Sequence, residues 1–343
     1  MFWLSFLLLI ACNSSEVKIY DGNPIVTETA GTKKINGISM IAAPHRIDSS
    51  EFSLFRNVNA NYVCLLPFAF VRNGEPHVYY NTGHQWWGES PAGIAASIKL
   101  AHQNGLQVVI KPQIWMHNGF TGDLMFASDD EWKKFEQSYT NYIFQLLPLA
   151  DSLHAEMFCL GNELDSFVMQ RTAYWSHLID TARTVFHGKL VYAENWDCYD
   201  KFPLWSKLDY IGTNAYFPLS DSKTPTTDEL IGKWKIYSEQ LQKYSQRFSK
   251  PILFTEYGYR SIDFATEEPW DSYHSAASNY EAQKNAYEAF YKTFWNQEWC
   301  AGGFSWKWLD SNSSADVPVE IDYTPQGKPA MEVLKKWYGE NSK

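Results

Sequence analysis

Met157-Phe158-Cys159-Leu160-Gly161-Asn162-Glu163 is an apolar run that stops on an amide and a carboxylate, and Pro251-Ile252-Leu253-Phe254-Thr255-Glu256 repeats the pattern. A short, continuous apolar run bounded by polar residues reads as a strand buried on both faces, the kind found in parallel sheets covered by helices. The two carboxylates lie 93 positions apart, at 163 and 256. With about 31 residues per strand–helix unit of a (β/α)₈ barrel, that interval corresponds to three units.

Outward from these runs, further short β-rich stretches fall at residues 37–42, 62–67, 107–112, 190–193, 210–214 and 302–305. With 155–161 and 252–255 they make eight, the number a closed barrel requires. Amphipathic helical patterns separate them at 94–104, 130–153, 174–187, 228–248 and 280–295. This alternation predicts an α/β chain, a (β/α)₈ TIM barrel over residues 33–343, with Glu163 after strand four and Glu256 after strand seven. An open doubly wound sheet would place a Gly-rich turn after its first strand, whereas Ser39-Met40-Ile41-Ala42-Ala43-Pro44 stands there. The long loops at 77–90 and 261–279 are expected on the C-terminal face, where barrel active sites form.

Composition narrows the function. A net charge of -10 and a pI near 5.4 exclude nucleic acid as a natural partner, because phosphate backbones are held by Lys and Arg. The 15 Trp and 21 Tyr exceed what a core needs and suit the apolar faces of sugars. Phe2 to Ala11 is almost continuously apolar and stops at Cys12, before Asn13-Ser14-Ser15. Residues 1–11 are therefore expected to be a signal peptide, and 12–32 a leader or linker. Leu9-Ile10-Ala11-Cys12 resembles a bacterial lipobox, which implies lipidation of Cys12 and a cell-envelope location with membrane contact only through that anchor. The competing reading is an apolar helix packed on the domain. Cys64, Cys159, Cys198 and Cys300 fall in or beside strand runs and show no disulfide framework. No metal site is expected, since the nine His form no cluster in sequence, and no cofactor either. A monomer is expected.

Hydrolysis of a glycosidic bond with retention needs two carboxyl groups about 5–5.5 Å apart, one protonated and one ionised. Glu163 and Glu256 stand at matching registers for that work. A lone Glu after a strand equally reads as a helix cap or a solvated side chain.

Four segments carry a resemblance: Val109-Ile110-Lys111-Pro112-Gln113-Ile114-Trp115; Asp209 to Pro218; Ile252 to Arg260; and Gly303-Phe304-Ser305-Trp306-Lys307-Trp308. Together with Asn162-Glu163 they resemble glycoside hydrolase family 113 of clan A, known for β-1,4-mannanases, over residues 35–337. The resemblance implies Glu163 as acid/base and Glu256 as nucleophile in a double displacement. Tyr216 would donate to the nucleophile, Asn162 would meet the sugar 2-hydroxyl, and Trp306 would floor the subsite under attack. Lys111, Trp115 and Trp196, with Trp86-Trp87 and His45-Arg46, are further candidates for sugar platforms and hydroxyl contacts. Each also reads as a structural residue: Tyr216 as a core or rim tyrosine, Asn162 as a turn residue, Trp306 as barrel filling. The implied substrate is β-mannan or manno-oligosaccharide, cut by an endo-acting enzyme. Exo-acting β-mannosidase or another clan A β-glycanase is the alternative within the class. A non-catalytic envelope glycan-binding protein is the alternative outside it.

Overall fold

The computed structural model describes residues 33–83, 85–311 and 317–340. The expectations for residues 1–32, Cys12 among them, lie outside the described residues. Eight parallel strands close into a barrel: β1 (Ile35–Met40), β2 (Tyr62–Leu65), β3 (Gln107–Ile110), β4 (Met157–Asn162), β5 (Lys189–Asn195), β6 (Ile211–Asn214), β7 (Ile252–Tyr257) and β8 (Cys300–Trp308). Closure comes from β1, which pairs with both β2 and β8. The (β/α)₈ architecture expected from the sequence is thus the one observed.

Strand alternation sorts the apolar side chains into two layers. Met157 and Cys159 of β4, Val191 and Ala193 of β5, and Leu253 of β7 share one cluster with Val109 and Phe304. Their neighbours Phe158, Leu160, Leu190, Tyr192, Ile252 and Phe254 belong to the larger cluster shared with the helices. These helices are α1 (Ser49–Asn57), α2 (Pro91–Gln103), α3 (Asp129–Ser152), α4 (Asp165–Gln170), α5 (Thr172–Val185), α6 (Thr227–Phe248), α7 (Tyr280–Phe294) and α8 (Pro329–Glu340). Four of the helices start at a side chain that accepts a backbone N–H: Ser90 for α2, Ser128 for α3, Thr226 for α6 and Asn279 for α7.

Two departures from the repeating unit shape the site. Between β5 and β6 the described chain has only a 3₁₀ turn, Trp205–Lys207, and buried Tyr199, Phe202 and Trp205 fill the space there. Beyond β2 and β3 the chain pairs again: Phe68–Val71 runs parallel to Gln113–Met116, and Val78–Tyr79 lies antiparallel on its other side. Proline has no N–H to give a ladder, so Pro67 and Pro112 separate this small sheet from the barrel. The loop expected at 77–90 therefore contains a strand and a 3₁₀ turn (Trp87–Glu89). All four described cysteines are free, with Cys64, Cys159 and Cys300 buried. No described helix is long and apolar enough to cross a membrane.

Candidate active site

Glu256 owes its direction to an irregularity in β7. Ile252 and Phe254 face the helices, so strict alternation would send Glu256 the same way. The register with both neighbouring strands shifts after Phe254, and Tyr257 takes the helix-facing place instead. A bulge of this kind re-aims a side chain; here it turns Glu256 to the mouth of the barrel. At 5% exposure it has three donors: Lys111 Nζ at 2.5 Å and Gln113 Nε2 at 3.2 Å on Oε1, and Tyr216 OH at 2.8 Å on Oε2. Burial disfavours the Lys111 ammonium, yet Glu256 beside it holds its pKa above the ordinary lysine value. Burial, and then the Glu256 charge, push the Tyr216 phenol well above its usual range, so it stays a hydrogen-bond donor.

Glu163 follows β4 directly, with a backbone φ of 50°, a left-handed conformation uncommon outside glycine. Three hydrogen bonds hold it there: its N–H donates to Ala193 O at 2.8 Å, Thr121 Oγ1 donates to its carbonyl at 3.3 Å, and Leu164 N donates to Tyr192 OH at 2.7 Å. Gly161, two positions earlier, is required, since a Cβ there would lie 2.7 Å from both Trp175 and Tyr192. The Glu163 carboxyl is half-buried and accepts from Asn214 Nδ2 at 2.7 Å. Burial first, and the Glu256 charge second, push it up to about 7; Asn214 and Lys111 pull the other way.

Asn214, at the end of β6, couples the two carboxylates. Its Nδ2 also donates to Asn162 Oδ1 at 3.0 Å, while its Oδ1 accepts from Thr255 Oγ1 at 2.8 Å and from Lys111 Nζ at 3.4 Å. Both carboxylates line one open cleft of about 580 Å³. Trp306, Tyr216 and Tyr323 line it with them, and Trp196 and Trp270 stack on each other (centroids 5.3 Å apart) as a further part of its lining.

Most of the residues singled out in the sequence converge here, though not all in the roles the resemblance implies. Trp196, Trp306 and Tyr216 line the cleft. Lys111, 1% exposed, is engaged with Glu256 and is not free to meet a sugar hydroxyl. Asn162 accepts from Asn214 Nδ2 at 3.0 Å. Trp115 lines a separate groove beside the cleft. Trp86, Trp87 and Arg46 are outside the cleft lining, and His45 sits 3.3 Å from Asp310. Asn214, Gln113, Thr255, Trp270 and Tyr323 were not singled out. Asn214 and Gln113 stand inside the quoted segments, where a polar residue at a strand end was the available sign.

A second pair of acids lies behind Glu163. Both oxygens of Asp165 are buried and meet no donor among the protein's N–H groups, and Glu194, 2% exposed, stands against them. Burial, and then Asp165, keep the Glu194 carboxyl well above the usual carboxylate range. Among the described residues no group of three or more His, Cys, Asp or Glu side chains could hold a metal ion.

A model of Glycoside Hydrolase Family 113 matches residues 47–328. The chain belongs to this family. It is a glycoside hydrolase, and its substrate is a carbohydrate. The solved family 113 β-mannanase of Alicyclobacillus acidocaldarius, in complex with ManMIm, is 24% identical with a TM-score of 0.78, over 90% of this chain and 98% of that one. A second family 113 β-1,4-mannanase complex gives 21% identity and a TM-score of 0.77, over 90% and 99%. These likenesses show the shared barrel. Among curated proteins, the β-glucuronidase of Paenibacillus borealis is 25% identical over 312 residues, 86% of this chain and 46% of that protein. The chain thus spans about half the length of that relative.

Proposed function

We propose that this family 113 hydrolase is an endo-acting, retaining β-1,4-mannanase working by double displacement. The observation that carries the reading is the unequal environment of two carboxylates over one cleft. Glu256, fixed by a lysine and two neutral donors, is the nucleophile that attacks the anomeric carbon. Glu163, raised to about 7 by burial and by the Glu256 charge, protonates the leaving oxygen and then, as a base, activates the water that releases the sugar. The two carboxylates thereby stand in unequal surroundings, the arrangement retaining chemistry needs. Asn162 is assigned to the sugar 2-hydroxyl, Trp306 to the floor of the subsite under attack and Trp196 to a neighbouring platform. Lys111 is assigned to Glu256 itself, whose ionised form it favours.

The cleft also bears on the sugar. Among the described residues its lining contains Glu163, Asp197 and Glu256 and no Lys or Arg, which suits a neutral hexose over the glycuronic acid that the name of the curated relative implies for that protein. Side-by-side product analysis on mannan, glucomannan, xylan and cellulose tests the assignment. A ladder of oligosaccharides from mannan is expected; release of monosaccharide alone would make the enzyme exo-acting, and a ladder from xylan with none from mannan would overturn the substrate. Residues 1–11 are proposed as a signal peptide and Cys12 as the lipidated first residue of a bacterial envelope protein. Cys12→Ala should then move the enzyme from the membrane fraction to the soluble one, and an unchanged distribution would refute the anchor.

A further inference from the structure

The small sheet beyond β2 and β3 presents aromatic rings that the barrel core does not need. Phe70 is in register with Tyr79 on one side and with Trp115 on the other, so the three stand in a row across adjacent strands about 4.8 Å apart. Alternation places Ala69, Val71 and Val78 in the core on the opposite face, and these supply the sheet's packing. Trp115 is left 45% exposed, held edge-on between Phe70 at 5.9 Å and His117 at 5.6 Å. The row floors a groove of about 460 Å³ with Asn73, Thr82 and Asn118 also in its lining. The exposed Trp115 ring, with amides and a hydroxyl around it, matches a sugar, whose C–H faces stack while its hydroxyls hydrogen-bond. The groove's lining holds no carboxylate, and its Arg72 is occupied over the Tyr79 ring at 4.7 Å.

One stretch of chain joins this groove to the cleft. Gln113 donates to Glu256, Trp115, His117 and Asn118 line the groove, and Phe120 returns to line the cleft. One strand residue, Ile114, separates Gln113 from Trp115, about 6.6 Å along the chain, and Gln113 itself reaches Glu256 through its side chain, so the groove begins within a few sugar units of the carboxylates. We propose that the Tyr79–Phe70–Trp115 row is a distal subsite that binds neutral, β-linked hexose units of the same glycan chain whose cleavage occurs between Glu163 and Glu256. The inference rests on the glycanase reading above and deepens it: the ligand is an oligosaccharide long enough to lie in the cleft and the groove together.

The test is chain-length dependence. With manno-oligosaccharides of two to six units and the wild-type enzyme as reference, Trp115→Ala should lower the ratio of kcat/KM on the hexasaccharide to that on the shortest substrate cleaved by about tenfold, mainly through KM, the loss of one good stacking contact. Trp115→Phe, which keeps a ring, should recover most of the ratio, and Tyr79→Ala should lower it less than Trp115→Ala. A ratio unchanged in Trp115→Ala, or a loss equal at every length, overturns the subsite. If mannan is not the substrate, the same series is run on oligosaccharides of whichever β-glycan is cleaved, so a wrong sugar and an absent subsite give separate readouts. If none is cleaved, calorimetric titration of mannohexaose into wild type and Trp115→Ala decides, with equal affinity, or no binding to either, overturning the proposal.

Discussion

Glu163 and Glu256 are the same residue type at the ends of two strands of one barrel, yet the protein treats them oppositely. Around Glu256 a ladder irregularity turns the side chain inward, and the cavity then meets it with a lysine, a glutamine and a tyrosine. Around Glu163 a left-handed backbone turn leaves the carboxyl half-buried, with one neutral amide as donor and two other acids nearby, Glu256 and Asp165. The difference teaches that charge assignment here depends on which donors the neighbouring strands deliver, since both carboxylates end an apolar strand run. Asn214 stands between them and touches both environments.

Removing either carboxylate breaks the contrast most severely. On the proposed roles Glu256→Gln should lower turnover on the order of 10⁴-fold or more, because both chemical steps pass through that oxygen. Glu163→Gln should cost about 10²–10⁴-fold, less on an aryl glycoside whose leaving group needs no proton, with azide restoring the second step only in the Glu163 variant. Equal losses on good and poor leaving groups would contradict the acid role. Lys111→Met strips the buried Glu256 carboxylate of its counter-charge and should destabilise the fold by about 3–5 kcal/mol, visible as a fall in the denaturant midpoint; an unchanged midpoint would mean the pair is not formed. Tyr216→Phe removes one hydrogen bond to a charged oxygen, worth about 1.5–3 kcal/mol, and should lower kcat/KM roughly tenfold to a hundredfold.

The smallest expected effect is a pH displacement. Activity needs Glu163 protonated, and with its carboxyl at about 7 the protonated fraction falls as pH rises, so kcat/KM should decline on the alkaline side through about pH 7. Asn214 donates to the ionised form and thus lowers this value; Asn214→Ala should move the alkaline limb to higher pH. A limb that stays in place, or moves to lower pH, would show that Glu163 does not govern it.

The eight strands and the two carboxylate positions were legible because fully buried parallel strands leave continuous apolar runs, and Asn162-Glu163 and Glu256 interrupt them at matching registers. The bulge after Phe254 was not, since nothing in Phe254-Thr255-Glu256 distinguishes a turned side chain from strict alternation. Lys111 was read as a sugar contact because a strand-end lysine is equally able to meet a hydroxyl or a carboxylate; only the closure of the barrel brings it to Glu256, 145 positions away. Trp115 was grouped with the cleft because the break at Pro112 and the re-pairing of Gln113–Met116 with Phe68–Val71 are tertiary events. The approach of Asp165, at the start of α4, to Glu194, in β5, likewise joins two elements that sequence leaves unrelated.

The division of labour between the two carboxylates is tested most directly by trapping. Incubation with a 2-deoxy-2-fluoro-β-mannosyl fluoride, digestion and peptide mass spectrometry should place a stable glycosyl ester on Glu256, with none on a Glu256→Gln control. A label on Glu163, or turnover that proceeds with inversion at the anomeric carbon and leaves no ester, would contradict it.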